Sequence, residues 1–121
     1  MGLSDITAVE RHPKLGASWE GFALEELLRS YEIPASDAYF WRTQAGAELD
    51  LLIHCQGQKL GFEFKYSDRP QMTPSMRIAL ADLQLDHLTV VYPGPHSLPL
   101  DTNVSVMSIQ DLYKATPMPT N

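Results

Sequence analysis

The chain has 121 residues, of which 44% are hydrophobic and 20% charged, and these proportions are ordinary for one soluble globular domain. Its formal net charge of −6 argues against sequence-independent binding of nucleic acid over a broad surface, because phosphate binding needs basic patches. A single cysteine, Cys55, excludes an internal disulfide, and no apolar stretch approaches the roughly 20 residues of a membrane span. We therefore expect one cytoplasmic domain over residues 1–121, with no membrane partner.

One helix dominates the first part of the chain. We expect residues 1–12 to form a loose lead-in, and residues 116–121 a loose tail. Apolar residues recur at helical spacing over residues 14–31, which predicts an amphipathic helix. Glu20 falls within the apolar face of this helix, and Glu26 falls near it. A carboxylate on the core side must be paired, protonated or bound to a metal, unless it lies at the margin of the face and reaches water.

Three strands in a row are predicted next. Residues 38–43 are rich in aromatic side chains, which favours a strand. Residues 47–66 alternate between apolar and polar side chains on both sides of Gln56-Gly57, and this pattern predicts a hairpin. Gly57 supplies the positive φ that a tight turn needs.

The turn also predicts the register of the hairpin. If Cys55 pairs with Gln58, Asp50 lies opposite Glu63, whereas a three-residue loop would shift the pairing by one. The same register places Glu48 opposite Lys65. Two facing carboxylates destabilise a sheet unless a cation or a proton lies between them. Such local conflicts are expected mainly at functional sites.

The second half of the chain alternates between helices and strands. Thr73-Pro74 is typical of a helix N-cap followed by proline, and the helix extends to about Gln84. A buried strand over residues 87–92, a short strand near 104–107 and a helical turn near 109–113 complete the chain. The order is therefore α-β-β-β-α-β, then a short strand and a helical turn. This order predicts an α/β fold with a mixed central sheet flanked by helices.

Four residues form a candidate catalytic site: Glu20, Asp50, Glu63 and Lys65. Mg²⁺ takes oxygen ligands, usually one or two carboxylates with waters and substrate phosphate, so Asp50 and Glu63 are the expected ligands, with Glu20 as an outer one. Lys65 lies two residues after Glu63 on the same face, where it can orient water or stabilise charge on a phosphate. The ordinary alternative is that these side chains form solvent-exposed ion pairs on an open sheet face.

Several segments of the chain resemble the motifs of one known family; they are residues 12–17, 19–22, 26–28, 40–43, 46–51 and 61–65. Taken together they are similar to the C-terminal domain of unknown function of bacterial and archaeal AAA-type ATP-binding proteins. That domain resembles the restriction-endonuclease-like fold of the PD-(D/E)xK nuclease superfamily. The resemblance covers about residues 12–92 and implies a restriction-endonuclease-like α/β fold here.

The resemblance also implies roles for individual residues. Glu20 matches the acidic helix position of the superfamily, Asp50 its aspartate, and Glu63 and Lys65 its Glu-x-Lys motif. Leu49 stands where the superfamily name has proline.

Three functions follow as expectations. The first is a nuclease that uses Mg²⁺ or Mn²⁺ to hydrolyse DNA, although the net charge disfavours DNA as a partner. The second is a non-catalytic interaction module that serves an AAA-type ATPase or another protein. The third is a structural domain whose acidic face is ordinary surface. No phosphate-binding loop is present in the sequence, so any ATP hydrolysis would reside outside this chain.

Overall fold

The computed structural model describes residues 6–8, 19–67 and 69–114. The strands in these ranges are β1 (Ile6–Ala8), β2 (Tyr39–Arg42), β3 (Glu48–Cys55), β4 (Gln58–Phe64), β5 (His87–Tyr92), β6 (Leu98–Asp101) and β7 (Val104–Ser108). The helices are α1 (Trp19–Ser30), α2 (Pro74–Leu83) and α3 (Gln110–Lys114), and a short 3-10 turn, Ala35–Asp37, precedes β2.

The seven strands form one mixed sheet in the order β1-β2-β3-β4-β5-β7-β6. The first four strands are antiparallel neighbours; short connections join β2 to β3 and β3 to β4, whereas α1 lies between β1 and β2 in the chain. β5 lies parallel to β4, and α2 is the crossover that such a parallel connection needs. β7 lies parallel to β5, and β6 returns antiparallel at the edge. The mixed α/β architecture predicted from the element order is therefore confirmed.

Helices cover both faces of the sheet, and each face has its own hydrophobic core. On one face α1 and α3 pack on side chains such as Leu51, Phe62 and Val91. On the other face α2 packs on side chains such as Leu88 and Val90. The interior strand β5 contributes to both cores, and its consecutive buried residues Val90, Val91 and Tyr92 are typical of a strand covered on both faces.

The hairpin and the second helix match their predictions closely. Cys55 pairs with Gln58, and both turn residues have positive φ, 54° at Gln56 and 83° at Gly57. This is the turn geometry whose twist matches that of the flanking strands. At the start of α2 the Thr73 hydroxyl accepts a hydrogen bond from the following turn, with proline in the first helical position.

Other elements differ from their predictions. The sequence pattern assigns no strand to β1 within the predicted lead-in, nor to β6. Both are short edge strands without alternation, and Pro99 in β6 argues against a strand anywhere except at an edge. Residues 14–18 of the predicted first helix and the predicted tail lie outside the described residues. None of the described helices is long and apolar enough to cross a lipid bilayer.

Candidate active site

The β3–β4 hairpin brings Asp50 and Glu63 into contact. Backbone pairing of the two strands extends from Cys55 to Leu51, which lies opposite Phe62. One position further along, a hydrogen bond joins the carboxyl groups of Asp50 and Glu63. The two acids are therefore neighbours in the structure, at the point where the backbone pairing of β3 and β4 has ended.

A β-bulge gives Asp50 its position. On the other side of β3, Tyr39 lies opposite Leu52 and Trp41 lies opposite Leu49. Between these two pairs β3 carries one residue more than β2, so Asp50 lies in a bulged segment. A bulge changes the direction of the side chains it contains, and bulges are over-represented beside active sites.

The bulge also corrects one expectation from the sequence. Strict alternation would place Ala47, Leu49, Leu51 and Ile53 on a single face of the sheet. Instead, Ala47 and Leu49 lie in the core beneath α2, whereas Leu51 and Ile53 lie in the core beneath α1. The inserted residue shifts the alternation by one, so β3 buries side chains on both faces.

Asp50 also completes the hydrogen bonding of β4. The backbone N–H of Phe64 donates to Asp50 Oδ2 at 2.9 Å. The carboxylate thus takes the place of a backbone acceptor at the point where the paired ladder of β3 and β4 has ended. This bond orients the Asp50 side chain toward the end of β4, where Glu63 and Lys65 lie.

Burial controls the protonation of the acid pair. Glu63 is only 6% exposed, and this desolvation, together with the nearby charge of Asp50, raises the pKa of Glu63 to about 8. Desolvation is also the largest cause of the raised pKa of Asp50. Lys65 Nζ lies 3.8 Å from Glu63 Oε1 and partly offsets these effects. The pair therefore retains a proton at neutral pH when no cation is bound.

The acid pair and Lys65 line a cleft of about 670 Å³. Glu20 of α1 borders the same cleft, so the structure brings all four predicted site residues around one space. The predicted core-side position of Glu20 is nevertheless wrong, because the residue is exposed. It lies at the margin of the helix face and reaches water. Glu26 is mostly covered and pairs with Arg29 at 2.6 Å.

The cleft has further walls that the sequence motifs do not include. Glu48, Phe40 and Tyr66 line it, as do Thr73 and Ser75 at the start of α2. The position of α2 follows from the topology, because the crossover helix begins shortly after β4 ends. The predicted N-cap at Thr73 is therefore the sequence feature from which this side of the cleft could be expected.

Asp50 and Glu63 offer carboxylate oxygens, the type of ligand that a hard divalent cation takes. Among the described residues, no group of three or more His, Cys, Asp or Glu side chains is placed to hold a metal ion. Asp50 and Glu63 do converge, and Mg²⁺ is commonly held by one or two carboxylates while it keeps several waters. The part of Glu20 as an additional ligand stays a prediction.

Comparisons with known proteins identify relatives but assign no activity. An uncharacterized protein of Mycobacterium bovis and one of Mycobacterium tuberculosis are each 50% identical to this chain over 113 residues. That alignment covers 93% of this chain and 25% of each relative, so the chain spans about a quarter of their length. No solved structure matches the chain with significance. Residues 15–112 match the family described as "Domain of unknown function (DUF4143)", and the chain belongs to that family.

Proposed function

We propose that this domain is a PD-(D/E)xK nuclease-like module that hydrolyses phosphodiester bonds of DNA with the help of Mg²⁺ or Mn²⁺. The observation that carries the proposal is the contact between the half-buried Asp50 and the buried Glu63, with Lys65 3.8 Å from Glu63, in a cleft open to solvent. Placing the half-buried carboxyl group of Asp50 beside the buried one of Glu63 costs stability, and such conflicts are expected mainly at functional sites. The mixed sheet between α1 and α2 is compatible with the restriction-endonuclease-like fold that we propose for it.

Each residue has a distinct part in this proposal. Asp50 and Glu63 would hold the cation, and their shared proton would pass to solvent as both carboxyl groups ionise. The bound ion would polarise a phosphoryl oxygen and lower the pKa of a bound water. Lys65 has a partly exposed side chain, so its ammonium group can position the attacking water or stabilise charge on the phosphate. Glu20, at the margin of the cleft, can accept hydrogen bonds from waters around the ion.

A plasmid-nicking assay with Mg²⁺ or Mn²⁺ tests the proposal. We expect the wild type to nick DNA and Lys65→Ala to lose about 100-fold or more of the rate, which is the typical effect of removing one group that stabilises developing charge. Arg77→Ala is the matched control, because it removes a positive charge from an exposed ion pair with Asp101, outside the cleft. This variant should keep the wild-type rate. Absence of cleavage of single-stranded, duplex and supercoiled DNA with both ions would refute the proposal.

The length of the relatives favours a second candidate function. Because the match covers 25% of each mycobacterial protein, the domain can act within a longer polypeptide as a non-catalytic module of an AAA-type ATPase. In that case every form of DNA stays intact. This alternative expects that a full-length mycobacterial relative hydrolyses ATP and that deleting the matched quarter changes the rate. No ATP hydrolysis, or an unchanged rate after the deletion, would contradict it.

A further inference from the structure

Aromatic side chains from β2 and from the end of β4 line the same cleft as the acid pair. Tyr66 directly follows Lys65 and is 70% exposed, which is unusual for a large aromatic side chain. Its ring lies 5.8 Å from that of Trp19, tilted by 49°, so Trp19 supports it from α1. Phe40 lines the cleft from β2, and the guanidinium of Arg42 lies 5.0 Å from the centre of its ring.

The charges around the cleft limit the ways in which it can hold nucleic acid. The acidic residues that line it are Glu20, Glu48, Asp50 and Glu63, whereas Lys65 is the one basic residue among the described lining residues. Sequence-independent binding of duplex DNA depends on many contacts between basic side chains and phosphates. Lys65 and the nearby Arg42 can supply only a few such contacts. Most of the binding energy must therefore come from the bases.

We propose that the cleft takes single-stranded DNA and holds one or two unstacked bases against Tyr66 and Phe40. This inference rests on the proposed function, and it names the form of the substrate. Bases in a duplex are stacked on one another, so an exposed aromatic ring can reach the face of a base only where the strand is single. A space of about 670 Å³ between α1, the hairpin and the start of α2 accommodates a few nucleotides of one strand.

Stacking and phosphate binding differ in their response to salt. For a single strand, the logarithm of the binding constant falls with the logarithm of the salt concentration with a slope of about −0.7 for each phosphate neutralised. With Lys65 in the cleft and Arg42 beside the lining residue Phe40, we expect a slope of about −1.4 or shallower. Stacking itself tolerates different bases, because every base has a π-face.

Fluorescence anisotropy with a labelled oligothymidylate, in EDTA so that no cleavage occurs, tests the inference. We expect the single strand to bind more tightly than a duplex of the same length. Tyr66→Ala should weaken binding about 5- to 150-fold, the range measured for loss of one stacking partner. Tyr66→Phe keeps the ring and should stay within about twofold of the wild type. Ile78→Ala, at an exposed apolar residue that does not line the cleft, is the control and should bind the single strand with the affinity of the wild type.

Four results would overturn the inference: tighter binding of the duplex, unchanged binding of Tyr66→Ala, a salt slope several times steeper than expected, or tighter binding of the matching RNA oligonucleotide. Failure of this inference is distinguishable from failure of the proposed function. If duplex DNA is nicked but Tyr66→Ala binds the single strand as tightly as the wild type, the nuclease proposal stands and the single-strand inference fails. If the single strand binds through Tyr66 but no DNA is cleaved, the binding inference stands and the nuclease proposal fails.

Discussion

Replacing Glu63 with glutamine should stabilise the metal-free protein at alkaline pH. Glu63 is 6% exposed and is hydrogen-bonded to Asp50, and it is surrounded by a low-dielectric environment that disfavours its charged form. Glutamine has nearly the same shape as the protonated carboxyl group and can also donate a hydrogen bond to Asp50. The variant therefore keeps the contacts of the protonated state at every pH.

The size of the effect follows from the pKa of Glu63. In the unfolded chain this carboxyl loses its proton near pH 4.5, whereas in the folded protein it keeps the proton up to about pH 8. Between these values the folded state binds more protons, so the free energy of unfolding falls as the pH rises, by about 1.4 kcal/mol per unit. Over the whole interval the loss approaches about 5 kcal/mol, which is a large part of the 5–15 kcal/mol that stabilises a typical domain.

Urea unfolding in EDTA, from about pH 5 to about pH 9, measures this effect. The wild type should lose stability steadily up to about pH 8 and then level off, whereas Glu63→Gln should show a much smaller slope. Glu25→Gln changes the same charge at an exposed position of α1 and should keep the slope of the wild type. A wild type whose stability does not change over this range, together with a Glu63→Gln variant that is less stable at pH 9, would refute the reasoning.

Three further predictions concern the elements around the site, and urea unfolding at one pH measures all of them. Gly61→Ala should destabilise by about 1–3 kcal/mol, because the added Cβ would lie 2.7 Å from Leu85 Cδ1 and 3.1 Å from Leu49 Cδ2; a neutral effect would mean that both leucines move freely. Gln84→Gly should stabilise by about 0.5–1 kcal/mol, since Gln84 has a φ of 54° at the end of α2, and a loss of stability would contradict this. Thr73→Ala should cost about 1 kcal/mol through loss of the N-cap hydrogen bond, whereas Thr73→Ser should cost little; equal losses in the two variants would exclude capping as the cause.

Local chemistry explains which parts of the site were predictable. The Gln56-Gly57 turn determines the register of the hairpin, and extending that register by one position beyond Leu51 and Phe62 brings Asp50 beside Glu63. Thr73 and the proline after it mark the start of α2 in the same way. Each of these predictions depends on residues close together in the sequence, so no tertiary contact had to be known.

The features that were not predictable depend on contacts between distant residues. The bulge at Asp50 results from pairing with β2 and has no distinct signature in the sequence. The one indication is the run of apolar residues 51–53, which is typical of a strand buried on both faces. The exposure of Glu20 depends on how α1 is rotated on the sheet, and helical periodicity specifies that rotation only coarsely. The proximity of Tyr66 to Trp19 likewise arises only when α1 packs near the end of β4.

Isothermal titration calorimetry with Mn²⁺ tests the proposed metal site most directly. We expect one Mn²⁺ to bind per chain in the wild type, with binding lost or greatly weakened in Asp50→Asn and in Glu63→Gln. Glu25→Gln, which removes an exposed carboxylate from α1, should bind as the wild type does. If the wild type binds no Mn²⁺, or if the ion binds equally well after both Asp50 and Glu63 are replaced, these two carboxyl groups do not form a metal site.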